Sequence, residues 1–375
     1  MKQWYDRYMD EFNERRFWLA LSICNGIGPV RLQKLLKHFG SAKDTWEANE
    51  KELKISGIGD KIVGELADFK KKFSLEEYEE KLDKLHVSYL TLQDNEYPKF
   101  LKQINNPPNI IYKKGTFSFN ENGILLSVVG TRKITEYGRE VTELLVTDLV
   151  LAGCVIVSGL AMGVDATAHQ ATITAGGRTI AVLGSGVDIC TPAENTGLYK
   201  RILENGGAII SEYPLGVLPN KGSFPARNRI IAGLSQGVLV TEGAQDSGSL
   251  ITAKDAFLNN RKVFAVPGPI TSTVSKGPIS LIAKGAKMVT RAEDILEELH
   301  IKSIPNSLKI RGASKSIKGL TQEEQVIIEL LQDQKLHFDE IVKRTGLSSS
   351  YLGTVLSLME VKGLIKSSEE GFFHN

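Results

Sequence analysis

Short apolar runs alternate with segments of helical periodicity between Ile124 and Leu299. Such an alternation is typical of βαβ units, so it predicts a parallel sheet with helices on its faces. Nearly all of the predicted strands end in glycine, serine or threonine. Ligands of doubly wound sheets bind beyond the carboxyl ends of the strands, so these residues predict a binding site along one edge. The predicted strands are Leu125–Gly130, Val155–Ser158, Thr179–Gly184, Ala208–Ser211, Val238–Thr241 and Val263–Val266.

Residues 1–86 follow a different pattern, in which short helical segments are separated by two similar glycine turns. The turns are Asn25–Pro29 and Ser56–Asp60, and each precedes apolar residues at helical spacing. The pattern resembles a pair of helix-hairpin-helix (SAM-like) units, whose glycines let the backbone approach a phosphate at a helix N-terminus. A small helical domain whose glycines only form tight turns explains the pattern equally well.

The chain that follows the predicted sheet domain (87–300) divides into a basic linker over 301–319 and a C-terminal domain over 320–375. The linker carries five basic residues and no acidic one. In the C-terminal domain, three helical patterns followed by a hairpin-like segment predict a winged helix. The candidate recognition segment, 348–354, lacks the Arg and Lys that a helix in a DNA groove uses. Protein interaction is therefore an equal alternative to DNA binding there, and transcriptional regulation through this domain is a further one.

The composition is that of an ordinary globular protein, with 42% of the 375 residues hydrophobic and 24% charged. The net charge of +2 is unevenly distributed, because residues 321–375 carry nine acidic and five basic side chains. Phosphate binding depends on local charge, so the acidic C-terminal domain predicts that nucleic acid binds elsewhere on the chain.

Nothing in the sequence predicts export or membrane attachment. The N-terminus is too polar for a signal peptide, and the apolar stretches fall short of the ~20 residues that cross a bilayer. We therefore expect a cytoplasmic protein without membrane contact. Cys24, Cys154 and Cys190 are widely spaced, which suits a reducing compartment and predicts neither a disulfide nor a metal site.

Four of the predicted strand-to-helix turns are suited to anions, the one at Gly184 among them. The turn Gly130–Arg132 supplies backbone amides, a hydroxyl and a guanidinium, and Ser158–Gly159 and Ser247–Ser249 again combine hydroxyls with glycines ahead of a helix. The turn at Gly184 begins like a dinucleotide fingerprint but lacks the third glycine, and no glycine loop leads into Gly-Lys-[Ser/Thr]. We therefore expect no nicotinamide cofactor, no Walker-type nucleotide site and no other cofactor.

The segment Pro219–Ile230 contains three basic residues, one aromatic residue and no acid. Single-stranded nucleic acid is held by a basic groove that follows the phosphates and by aromatic faces that stack on bases. Lys221, Arg227 and Arg229 would supply the charges, and Phe224 would supply the stacking face. Alternatively, the basic residues pair with nearby glutamates and Phe224 lies in the core; the residues alone do not decide between the two.

Three acidic residues near these turns leave other functions open. Glu212 or Glu242 is the candidate ion-pair partner of the basic segment. Glu242 beside a phosphate-binding turn can also act as a general base, and so can Asp165, although a helix cap or a hydrogen-bond acceptor is the more typical role of such an aspartate. Because no nucleophile–base pair and no set of metal ligands accompanies them, catalysis is the alternative and not the leading hypothesis.

These motifs, taken in order, closely resemble the bacterial DNA-processing protein A (Smf) family. The resemblance covers about residues 97–290. Its most specific runs are Phe-Pro-Ala-Arg-Asn-Arg-Ile-Ile-Ala-Gly at 224–233 and Ser-Gly-Ser-Leu-Ile-Thr-Ala at 247–253. The turns at 129–132 and 158–165 and the strand segments at 179–184 and 263–268 also match.

The resemblance implies an α/β fold, an extended Rossmann-like core flanked by an N-terminal all-α domain and a C-terminal winged helix. It also implies a non-catalytic homodimer that binds single-stranded DNA and loads the recombinase RecA onto incoming DNA in natural transformation. The alternative is an enzyme of the related Rossmann-like superfamily that cleaves nucleotides or nucleoside phosphates, although its Pro-Gly-Gly-x-Gly-Thr run is not found in the sequence. The predicted nucleic-acid-binding residues are Gly130, Thr131, Arg132, Ser158, Gly159, Lys221, Phe224, Arg227, Asn228, Arg229, Ser247, Gly248 and Ser249.

Overall fold

A computed structural model gives the fold and describes residues 14–119, 123–301, 322–331, 335–361, 364–368 and 371–374. The described residues up to 301 belong to one compact unit, and those from 322 onward belong to a second. The fold is α/β, with N-terminal helices, a Rossmann-like sheet and a winged helix, as the sequence predicted. The predicted basic linker lies outside the described residues apart from Ile301.

The described residues of the first unit form a nine-stranded sheet in the order β1-β2-β6-β5-β4-β3-β7-β8-β9. The strands from β6 to β9 along this order run parallel, whereas β2 is antiparallel to both of its neighbours. The strands are β1 (Val87–Thr91), β2 (Ile110–Gly115), β3 (Ile124–Val129), β4 (Cys154–Ser158), β5 (Thr179–Val182), β6 (Ala208–Ser211), β7 (Gly237–Val240), β8 (Lys262–Ala265) and β9 (Lys287–Met288).

Each predicted strand is present within two residues of its predicted limits, because five apolar residues in a row are the signature of a strand buried on both faces. Alternate residues of β5 show this double burial: Ile180 and Val182 lie in one core, and Ala181 lies in the opposite core. The sequence did not predict β1, β2 or β9. The first two extend the sheet beyond β6, and β9 is only two residues long.

Helices cover both faces of the sheet. Helices α7, α11, α12 and α13 pack on one face, and α8, α9, α10 and α14 pack on the other. The helices of the first unit are α1 (14–23), α2 (Pro29–Phe39), α3 (Ala42–Glu47), α4 (Glu50–Ile55), α5 (Asp60–Lys72), α6 (Leu75–Lys84), α7 (Lys99–Lys102), α8 (Glu136–Leu151), α9 (Val164–Thr174), α10 (Thr196–Glu204), α11 (Ser223–Leu234), α12 (Gly248–Leu258), α13 (Lys276–Ala283) and α14 (Ala292–Glu298).

The N-terminal helices have their own small core and also pack onto the sheet. Two helix–turn–helix pairs, α1–α2 and α4–α5, meet at the two glycine turns, where Gly26 and Gly57 have φ of 83° and 69°. Lys34 of α2 donates to the carbonyl oxygen of Gly57 at 2.6 Å, which joins the two turns. Helix α1 buries Leu19 and Ala20 in the core formed with β2, β5 and β6, so the helical region continues directly into the sheet. The division after residue 86 stays a prediction.

The second unit contains helices α15 (Gln322–Leu331), α16 (Phe338–Thr345) and α17 (Ser349–Val361) and strands β10 (Ile365–Ser368) and β11 (Gly371–His374). The two strands form an antiparallel hairpin. Helix α16 ends at Gly346 in the left-handed conformation, and Ile341, Leu352 and Met359 lie in the core of the unit. Across both units, none of the helices in the described ranges is long and apolar enough to cross a bilayer.

A buried histidine connects α9 to the sheet. His169 Nδ1 lies 2.7 Å from Thr179 Oγ1, and Thr179 Oγ1 donates its proton to the carbonyl oxygen of Ile156 at 2.7 Å. The hydroxyl therefore accepts from His169, whose Nδ1 carries the proton. Burial lowers the pKa of His169 to about 3, and the positive charge of Arg227 contributes in the same direction. His169 is thus neutral in the folded protein at physiological pH.

We expect this histidine to make the protein acid-sensitive. An exposed histidine has a pKa near ~6.5, so the unfolded chain takes up a proton before the folded protein does. The contribution of His169 to stability is complete above that value and is lost as the pH falls towards 3. Between pH ~6 and ~4 the free energy of unfolding, measured with urea, should fall more steeply in the wild type than in His169→Asn, by about 1.4 kcal/mol per pH unit. Parallel curves would contradict this expectation.

Candidate functional site

A cleft of about 510 Å³ opens beyond the carboxyl ends of β3, β4 and β7. It lies beside the point where the strand order reverses, the usual ligand position in a doubly wound sheet. The turns after these strands form one side, and the first turns of α11 and α12 form the other. Nine of the thirteen predicted site residues line it: Gly130, Arg132, Lys221, Phe224, Arg227, Asn228, Ser247, Gly248 and Ser249. That they bind nucleic acid stays a prediction.

Two cations and an aromatic ring lie at the mouth of the cleft. Arg132 and Lys221 are exposed, and Phe224 is half-buried. The Arg132 guanidinium lies over the Phe224 ring, 5.3 Å from its centroid. A cation–π contact at such an exposed site contributes about 0.5–1 kcal/mol, which is small enough for a ligand to replace it. The mouth therefore offers a flat apolar face beside two positive charges.

The loop that carries Lys221 is fixed by its own polar side chains. The Asn220 side-chain oxygen accepts from the amides of Gly222 (2.9 Å) and Ser223 (3.0 Å). The Ser223 hydroxyl donates back to the carbonyl oxygen of Asn220 at 2.9 Å. This asparagine turn starts α11 at Ser223, which places Phe224 in the first turn of the helix, at the cleft.

Arg227 forms the floor of the cleft. The residue is 4% exposed, and its Nη1 donates to the carbonyl oxygen of Gly159 at 2.6 Å and to that of Val182. Burial lowers the pKa of Arg227 to about 10, and the negative charge of Asp165 opposes that shift. Arg227 is therefore still protonated at neutral pH. The ends of β4 and β5 are both attached to α11 through this one group.

Asp165 is the buried counter-charge of Arg227. Its Oδ2 accepts from the amides of Gly159 (3.1 Å) and Ala161 (3.4 Å), which shapes the turn after β4. Burial raises the pKa of Asp165, while the charge of Arg227 and these amide bonds oppose the shift.

Arg229 lies away from the cleft. It forms an ion pair with Glu212, and the two side chains are 16% and 13% exposed. This is the pairing that the alternative interpretation of the basic segment predicted. Burial raises the pKa of Glu212, and the Arg229 charge opposes the shift. Phe224, by contrast, is not a core residue.

Thr131, Ser158 and Gly159 are not among the residues that line the cleft. The Thr131 hydroxyl accepts from the Lys133 amide at 3.1 Å within its own turn. Ser158 is buried and donates to the carbonyl oxygen of Val128 at 2.6 Å, so it joins β4 to β3. A Cβ at Gly159 would lie 2.5 Å from Arg227 Nη1, so this glycine makes room for the guanidinium.

Glu242 is fully engaged as a structural acceptor. It is buried, and its carboxylate accepts from the Thr135 amide at 2.9 Å and from the Thr135 hydroxyl at 2.6 Å. Thr135 is the N-cap of α8, so the negative charge also lies at the positive end of that helix. A side chain at Gly138 would overlap the Glu242 carboxylate. The two acids considered as general bases, Glu242 and Asp165, both hold backbone amides.

An apolar wall of the cleft was not predicted from the sequence. Pro225 and Ile231 on α11 and Ile251 on α12 line it, together with Thr252. Ile251 is 40% exposed. Helical spacing from Phe224 and from Ser247 would have identified Ile231 and Ile251. Within the described ranges, no group of three or more His, Cys, Asp or Glu residues is arranged to hold a metal ion.

The fold and the cleft define a Rossmann-like α/β protein with a basic, partly aromatic cleft at its strand ends. The family model described as DNA recombination-mediator protein A matches residues 88–300, and that of the DprA winged helix domain matches residues 311–371. The chain belongs to the DNA recombination-mediator protein A (DprA/Smf) family, as its motifs predicted.

Individual relatives agree with this assignment. Protein Smf from Synechocystis is 35% identical over 395 aligned residues, covering 96% of this chain and 98% of that protein. The X-ray structure of DNA processing protein A from Streptococcus pneumoniae is 34% identical, with a TM-score of 0.64 over 76% of this chain and 97% of that chain. DNA processing protein A from Helicobacter pylori, whose structure is described for its single-stranded DNA binding mode, is 30% identical, with a TM-score of 0.51 over 58% of this chain and 99% of that chain.

We expect Gly159→Ala to destabilise the protein, because the new methyl group would overlap the buried, hydrogen-bonded guanidinium of Arg227. The loss in the free energy of unfolding should be about 1–3 kcal/mol by chemical denaturation. Gly248→Ala is the matched control, because it lines the same cleft and a Cβ there meets nothing within 4 Å. Equal stability of the two variants would show that Arg227 does not pack against Gly159 as described.

Proposed function

We propose that this chain binds single-stranded DNA in the cleft and acts as a non-catalytic recombination mediator. The observation that carries the proposal is the arrangement at the mouth, where exposed Arg132 and Lys221 flank the accessible Phe224 ring. Positive charges that follow a backbone, next to an aromatic face that stacks on any base, are the two features that single-strand binding requires. The Helicobacter pylori relative described for its single-stranded DNA binding mode supports the same ligand class.

We also propose the partners and setting that membership in the family suggests. The protein would load RecA onto incoming single strands during natural transformation, as a homodimer in the cytoplasm. The description of the family as a recombination mediator supports this role. The boundaries at residues 86/87 and 319/320 belong to the same proposal.

The cleft proposal predicts that Arg132→Ala with Lys221→Ala weakens binding of a labelled oligo-dT on the order of 100-fold, because two charge-assisted contacts are lost. The affinity measured against salt concentration should also become less salt-dependent, with a log–log slope smaller by about 1.4. Binding is expected to fall alike for all base compositions. Lys200→Ala, at an exposed lysine of α10 outside the cleft, is the control. A double variant that bound as tightly as the parent would refute the proposal that DNA binds in the cleft.

The enzymatic alternative predicts hydrolysis of nucleotides or nucleoside phosphates by the purified protein. We expect no turnover above background, because the carboxylates of Glu242 and Asp165 are buried and already accept hydrogen bonds from groups of the protein. The assay is run on the wild type and on Glu242→Gln at equal concentrations. Turnover by the wild type that disappears in Glu242→Gln would instead establish that the protein is an enzyme.

A further inference from the structure

The basic run of the sequence divides into two kinds of cation in the structure. Lys221 is exposed at the cleft mouth. Arg227 is 4% exposed, and the side chain of Arg229 is 16% exposed. A DNA phosphate is a large, strongly hydrated anion and neutralises cations that it can reach from solvent. The three basic residues of this segment are therefore not equally available to contact phosphates.

The two buried arginines attach α11 to three successive strand ends. Arg227 donates to the carbonyl oxygen of Gly159, just after β4, and to that of Val182, at the end of β5. Arg229 pairs with Glu212, just after β6. Each group thus has its hydrogen bonds or its counter-charge inside the protein.

This attachment determines where the exposed groups lie. Helix α11 carries Phe224 and Asn228, and the loop that leads into it carries Lys221. Asn228 in turn donates to the carbonyl oxygen of Gly248 at 3.2 Å, which links α11 to the first turn of α12. Both walls of the cleft are therefore positioned from α11.

We propose that Arg227 and Arg229 are positioning residues that clamp α11 to the ends of β4, β5 and β6 and that they do not neutralise DNA phosphates. The proposal rests on the proposed function, because it assigns roles within the same cleft. It differs from the expectation drawn from the sequence, in which all four basic residues contact nucleic acid.

Two atoms support the opposite assignment. Arg227 Nε and Arg229 Nη1 are buried without a hydrogen-bond partner among the described residues, and of these two arginines only Arg227 lines the cleft. A phosphate that accepted from Nε would have to open the floor of the cleft and compete with Asp165 for the guanidinium. The two assignments differ in the number of ions released when DNA binds, so the difference can be measured.

The test is the salt dependence of oligo-dT binding by Arg132→Met, Lys221→Met and Arg227→Met, followed by fluorescence anisotropy over a series of KCl concentrations. Removal of one phosphate contact reduces the slope of log K against log salt by about 0.7. We expect this reduction for Arg132→Met and for Lys221→Met. For Arg227→Met we expect the parental slope, with an affinity lowered by the same factor at every salt concentration.

A second readout needs no DNA. Asp165 accepts from the amides of Gly159 and Ala161, and Arg227 holds the Gly159 carbonyl. Hydrogen exchange over residues 159–165 of the free protein should therefore be faster in Arg227→Met, and unchanged in Lys221→Met. A phosphate ligand without a positioning role would leave this exchange as in the parent.

A charge-balanced variant covers the case in which Arg227→Met fails to fold, since it would leave Asp165 buried without a counter-charge. Asp165→Asn combined with Arg227→Met removes both charges, and such neutral replacements are often tolerated. The parental slope in this variant supports the proposal. A slope reduced by about 0.7 overturns it. If neither Arg227→Met nor the double variant unfolds cooperatively, Arg227 maintains the whole fold rather than the position of α11, and the proposal is also overturned. Unchanged binding in Arg132→Met and Lys221→Met would instead refute the proposed function, in which DNA binds in the cleft.

Discussion

The buried guanidinium of Arg227 is the interaction on which the arrangement of the cleft depends. It donates to main-chain oxygens at the ends of two parallel strands, and the carboxylate of Asp165 opposes its charge. Burying a charged group is costly unless hydrogen bonds compensate it, and these main-chain oxygens supply that compensation. The guanidinium also restricts what the neighbouring position can hold, because a Cβ at Gly159 would lie 2.5 Å from Arg227 Nη1.

The turns after β3, β4 and β7 are also joined to one another by main-chain hydrogen bonds. The Thr131 amide donates to the carbonyl oxygen of Glu242 at 2.8 Å, and the Thr131 carbonyl accepts from the Val164 amide at 3.1 Å. A Cβ at Gly130 would lie 2.5 Å from Val164, so the small residues at the strand ends are required first by packing between turns. The cleft is the space left beside these turns, where α11 and α12 begin.

The sequence predicted the parts of the structure that a local pattern determines. Buried parallel strands such as Ile124–Val129 are continuous apolar runs, and their carboxyl ends must share an edge. Local pattern does not say where a polar side chain points. The Ser158 hydroxyl bonds to a neighbouring strand, and Arg229 bonds to Glu212, because tertiary partners were available. Had helix α11 been predicted to start at Ser223, its 3.6-residue period would have separated Phe224 and Asn228 from Arg229.

Basic residues that look alike in the sequence therefore differ in the structure in what they can contact. Exposed Arg132 and Lys221 are available to a ligand, and the buried arginines hold the helix that presents the aromatic face. The most direct measurement is a crystal structure of the full chain with oligo-dT. We expect phosphates within hydrogen-bond distance of Arg132 and Lys221, a base on Phe224, and Arg227 still bonded to the Gly159 carbonyl. A strand bound at the N-terminal glycine turns or on the winged helix, or Arg227 bonded to a phosphate, would show that the roles proposed for these residues are wrong.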